Sequence, residues 1–98
     1  MIYMNDNKFK IEKNKCLDEI QIYIERIEIL RTRYLSAYPN SPTYSTILDC
    51  CMRCLEYQIS QLKSICAEYG VDYKKDIQYR KLVFELEILD ISVESILD

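Results

Sequence analysis

Cysteine is the most concentrated reactive residue type in the chain. Cys50-Cys51-x-x-Cys54 places three thiols within five positions, and Cys16 and Cys66 lie farther off. On a helix, Cys50 and Cys54 stand one turn apart and could share an ion with one of the other two. Consecutive cysteines diverge by about 100° on a helix, however. Structural zinc sites also want four cysteine or histidine ligands at spacings set by loops. Packing is therefore the expectation, because a free thiol behaves as a small apolar residue that is commonly buried. The count of five is odd and no export signal is evident, so reduced thiols are expected as well. No metal ion and no cofactor are called for.

Other chemistry is sparse. The 98 residues contain no histidine, which removes the commonest general base and the usual partner of a serine or cysteine nucleophile. The single glycine, Gly70, cannot build a phosphate-cradling loop. Neighbouring carboxylates such as Asp18 and Glu19 do not face each other on a helix. Glu87, Asp90 and Glu94 do line up, but nothing beside them offers a fixed set of oxygen ligands, so the row reads as a solvated face. We expect no catalysis.

One stretch suggests a ligand. Tyr73-Lys74-Lys75-Asp76-Ile77-Gln78-Tyr79-Arg80-Lys81 is locally basic and carries two tyrosines. Tyr73, Lys74, Lys75, Tyr79 and Arg80 could stack a base and hold a phosphate. Binding of a nucleotide signal or RNA is thus the alternative functional reading. The formal charge of −3, from 13 bases and 16 acids, gives no support for a non-specific duplex binder.

The elements that would position these residues are easier to read. Cys16, Ile20, Tyr23, Ile27, Leu30, Tyr34 and Ala37 recur at steps of four and three. So do Leu48, Met52, Leu55, Ile59, Leu62, Cys66 and Tyr69, and again Leu82, Leu86, Leu89, Val93 and Ile96. That period is what an α-helix needs to keep one stripe against its neighbours. The first helix should begin near Asp6 and end near Tyr38, since Pro39 pushes the residue before it out of the helical region. Ser41 can cap the second, with Pro42 at its first position. Gly70 suits the left-handed residue that closes it. Asp72 can then cap a third helix that runs from about Tyr73 to the last few residues. Short connections imply an antiparallel, up-down-up three-helix bundle with long helices, all-α and one domain over residues 1–98.

No apolar run approaches the length of a membrane span, and the first fifteen residues lack the apolar core of a secretory signal. A cytosolic setting is the expectation. Met52-Arg53-Cys54-Leu55-Glu56 with Ile59, following a proline-containing turn, is similar in its Leu55-acid-x-x-Ile59 skeleton to the second helix of small helical-hairpin phosphatases of the sporulation-regulator type. The serine and glutamine of that signature are absent here, and the skeleton is shared by any amphipathic helix, so it implies no activity.

The third helix carries more apolar surface than a bundle edge requires. Phe84, Ile88 and Ile91 form a second strip nearly opposite the first, flanked by the acidic row of Glu87, Asp90 and Glu94. Either another copy or a different protein covers the strip, or the three helices splay so that both faces are internal; the first is preferred because contiguous exposed apolar strips mark contact sites. The functional expectation is a non-catalytic protein-binding module that contacts another protein, a second copy, or both through Phe84, Ile88 and Ile91. Glu87 and Glu94 would orient the partner. Small helical proteins of this kind include inhibitors, adaptors and immunity factors, some carried by phages against host defences; that analogy rests on size and class alone.

Overall fold

The protein is described by a computed structural model covering the backbone of residues 2–93 and the side chains of residues 7–93. Every regular element among the described residues is helical. The first, α1 (Ile2–Ile29), runs on through a π-helical turn, Leu30–Tyr34, into a last α-helical turn, Leu35–Ala37. Next come α2 (Pro42–Glu68), a 3₁₀ turn (Tyr73–Lys75) and α3 (Ile77–Ile88). No helix among the described residues is long and apolar enough to cross a membrane.

The stripes on α1 and α2 are buried largely as their spacing requires. Ile20, Ile27, Leu55, Ile59, Leu62 and Cys66 are almost wholly shielded from water, each large apolar side chain stabilising the fold by roughly 1.5–3 kcal/mol. Two departures have local causes. Ile24 is buried although it lies off the expected stripe. It shares a flank of α1 with Lys13 and Gln21, which reach α3, so α1 needs an apolar face wide enough for two neighbours. Tyr34 and Ala37, expected in the stripe, are exposed. The π-helical turn inserts one residue per turn, the Leu35 N–H bonding to the Leu30 carbonyl. The inward step after Leu30 is therefore five, to half-buried Leu35. Tyr34 instead packs its ring 5.0 Å from that of Tyr44, whose ring also lies 6.1 Å from that of Tyr38.

Both expected caps of α2 are present. The Ser41 hydroxyl accepts from the Tyr44 N–H at 3.3 Å, and Pro42 opens the helix. At the other end Gly70 has φ +71. The Val71 N–H donates to the Cys66 carbonyl at 2.7 Å and the Gly70 N–H to Ala67 at 3.1 Å, the paired bonds of a Schellman closure.

The third helix differs from its expectation at both ends. Asp72 caps only the 3₁₀ turn, accepting from the Lys74 N–H at 3.1 Å. Asp76 caps α3, accepting from the Tyr79 N–H at 3.0 Å. The helix stops at Ile88 instead of continuing towards the last residues, so it is short. A second Schellman closure ends it. The Ile91 N–H donates to the Leu86 carbonyl at 2.9 Å and the Asp90 N–H to Glu87 at 3.1 Å, and Asp90 takes φ +54. Aspartate is one of the few non-glycine residues that visit this conformation. Beyond it, Ile91 and Val93 turn back into the core.

Contacts between helices fall in a fixed order. From α1 through the π-helical turn, Phe9 meets Tyr69, just past the end of α2, at 5.3 Å between ring centroids, Tyr23 lies beside Cys54, and Tyr34 meets Tyr44. Ascending positions on α1 thus meet descending positions on α2. Against α3 both sequences ascend: Lys13 pairs with Asp76, Gln21 donates to Glu85 at 3.4 Å, and Arg31 donates to the Leu89 and Asp90 carbonyls at 2.8 and 3.0 Å.

The Lys13–Asp76 pair is mostly shielded, each side chain 12% exposed. Burial pushes the Asp76 carboxyl upward, but the Lys13 hydrogen bond, the Tyr79 N–H and the Lys13 charge outweigh it and hold the group below its ordinary 3.8. Because folding lowers this pKa, the stability it contributes is complete above the unfolded value. It disappears as pH falls through the lower folded one. Asp76→Asn keeps a capping oxygen but strands Lys13, and should cost about 2–3 kcal/mol at neutral pH. In urea titrations, the gap between wild type and variant should close as pH is taken below about 4. Gly70→Ala meets no steric obstacle within 4 Å, so its cost should be backbone strain alone, about 1 kcal/mol. Asp90→Gly should stabilise the same equilibrium by up to about 1 kcal/mol.

Candidate protein-contact surface

The back of α3 is apolar where it meets water. Ile77, Phe84 and Ile88 are 68%, 63% and 66% exposed, whereas Tyr79, Leu82 and Leu86 on the opposite side are buried. Positions 77, 81, 84 and 88 follow steps of four, three and four, so the three apolar side chains and Lys81 share one stripe about 16 Å long. Phe84 stands between two surface hollows. Ile77, Arg80, Lys81 and Phe84 line one; Lys74, Tyr79, Arg80, Val83, Phe84 and Glu87 line the other.

Of the residues expected at this surface, Phe84, Ile88 and Glu87 are exposed on α3. Ile91 is not: it follows the helix and is 6% exposed within the core. The reason is the left-handed turn at Asp90, which breaks the helical register that would have placed Ile91 beside Ile88. Glu94 lies outside the described residues. Ile77 extends the strip in the other direction and was not anticipated, although it lies seven positions before Phe84 and so on the same face.

The basic-aromatic set is divided. Lys74, Lys75 and Arg80 are exposed. Tyr79 is 5% exposed, its ring packed edge-on against Tyr73 at 5.0 Å. The Lys63 ammonium lies 5.1 Å from the Tyr73 ring centroid and that of Lys74 lies 6.0 Å away. Tyr79 is therefore closed to a stacking base, while Tyr73 is half-buried. Sequence spacing could not show this, because Tyr79 belongs to the buried face of α3 and to the basic run at once.

No family model matches the chain, and neither a curated protein nor a solved structure matches it.

The thiols are dispersed. Cys16, Cys51 and Cys66 are buried, Cys54 is half-buried against Tyr23, and Cys50 is exposed. Burial pushes the three buried thiols above their ordinary 9.0, with neighbouring carboxylates adding to the rise at Cys16 and Asp76 adding to it at Cys66. Among the described residues, no three His, Cys, Asp or Glu side chains converge on a point where a metal ion could sit. Alkylation followed by mass mapping should label Cys50 rapidly in the native protein. Cys16, Cys51 and Cys66 should react only after denaturation.

Proposed function

We propose that the chain is an antiparallel, up-down-up three-helix bundle that binds another protein, or a second copy of itself, without catalysis. It would act in the cytosol, where its five cysteines stay reduced. The order of contacts supports the arrangement: α1 meets α2 in opposed sequence order and α3 in matching order. One observation carries the functional reading. Ile77, Phe84 and Ile88 leave about two-thirds of their surface in water on a single helical face.

Scattered apolar residues on a surface need no explanation, but a contiguous strip with a charged border has the composition of a contact site. Arg80 and Glu87 supply the border, with Lys81 inside the strip, and these charges would set orientation more than strength. Inhibitors, adaptors and immunity proteins of similar size use surfaces of this kind.

The decisive variant is Ile88→Asp, with Phe84→Asp as its companion. Both sites face solvent, so helicity by circular dichroism and the unfolding midpoint should match wild type to within about 0.5 kcal/mol. Self-association by light scattering, and capture of partners from a native extract, should fall at least tenfold. If both readouts stay at wild-type levels in a folded Ile88→Asp protein, the strip is not a contact site and the reading is wrong.

A further inference from the structure

We propose that the back of α3 takes the same face of a second copy, antiparallel, about a two-fold axis at the level of Val83. This rests on the protein-binding reading above and names its partner. The stripe Ile77, Lys81, Phe84, Ile88 has spacings of four, three and four, which read the same in both directions. Laid against an inverted copy, Ile77 therefore falls opposite Ile88 of the second copy, and Lys81 opposite Phe84. The first match joins two apolar side chains that are each about two-thirds exposed. The second sets an ammonium over an aromatic face.

The flanking charges obey the same symmetry. A two-fold axis that inverts one helix onto another keeps each flank facing its own equivalent. Arg80 and Glu87 lie on one flank of the stripe, about 20° apart around the helix. Inversion brings Arg80 to within about 3 Å, along the helix, of the level of Glu87 of the second copy, and Glu87 equally near that copy's Arg80, a gap these long side chains span, so two opposite-charge pairs form together. A parallel two-fold pairing would turn this flank of each helix towards the opposite flank of the other, and Arg80 and Glu87 of the two copies would not meet. The hollow lined by Ile77, Arg80, Lys81 and Phe84 has the positions i, i+3, i+4 and i+7 of a coiled-coil hole. Phe84 of the second copy sits at the height to enter it as a knob.

A single stripe on a helix only about 18 Å long can supply only part of the roughly 1,200–2,000 Å² that stable interfaces bury. The pair is accordingly concentration-dependent.

The test is sedimentation equilibrium of the full chain over a hundredfold concentration range. Wild type should move from monomer to dimer. Arg80→Glu and Glu87→Arg, each alone, should weaken association roughly tenfold, since each sets two like-charge contacts in place of two attractive ones. An equimolar mixture of the two variants should recover wild-type association, because the mixed pair restores both attractions. A wild type that stays monomeric throughout, or a mixture that fails to recover, overturns the antiparallel self-pairing. The broader reading survives that result if Ile88→Asp still abolishes capture of a different protein, and falls with it if capture is unchanged.

Discussion

The third helix exists because the first holds it at both ends. A helix of 12 residues is marginal in water by itself, and α3 has no acidic residue in its first turn and no basic residue in its last. The helix dipole favours the opposite arrangement. The missing charges come from outside the helix. Asp76 caps the N-terminus and is fixed by Lys13, while the Arg31 guanidinium donates to the carbonyls of Leu89 and Asp90 just past the C-terminus. Between these clamps Tyr79, Leu82 and Leu86 are pressed into the core. The anion that answers the dipole at the N-terminus is the helix's own cap, Asp76, and the cation at the C-terminus is Arg31, so the basic run between them is tolerated.

The clamps also explain why the outer face of α3 is free to be apolar. Lys13 and Arg31 bond to groups at the two ends of α3, Asp76 and the Leu89 and Asp90 carbonyls, while Phe84 and Ile88 lie exposed on the side away from buried Leu82 and Leu86. Substitution on the outer face leaves the clamps and the buried side intact.

The legible part of the fold was whatever periodicity and turn residues encode. Stripes in α1 and α2, the Ser41–Pro42 start and the Gly70 stop could all be read from residue types. The π-helical turn could not. Leu30–Tyr34 carries no residue that marks it, and Tyr34 kept the expected spacing while the backbone rotated it outward. The end of α3 was hidden for a related reason. Asp90 does the work that glycine does at position 70, and Ile91 and Glu94 continue the helical spacing, so the pattern alone gave no cause to stop. At the candidate site this exchanged one residue for another: Ile91 was included and Ile77 overlooked. The buried role of Tyr79 depended on which face α1 would cover, which is a tertiary fact.

Not every exposed apolar residue here belongs to a surface of this kind. On α1, Ile11, Ile22 and Ile29 are 54%, 41% and 44% exposed, but they lie 11 and 7 positions apart with Lys15, Asp18 and Glu25 between them on that face. Charges of both signs interrupt that row, and each isoleucine stands alone. The α3 stripe is denser, more exposed, and broken only by Lys81. Its symmetry depends on where α3 ends. Had the helix continued through Asp90, Ile91 would have joined the outer face and lengthened the spacing to four, three, four and three, which no longer reads alike in both directions. The left-handed residue, Asp90, thus does two things. It sends Ile91 and Val93 into the core, and it leaves an outer stripe that matches its own inverse.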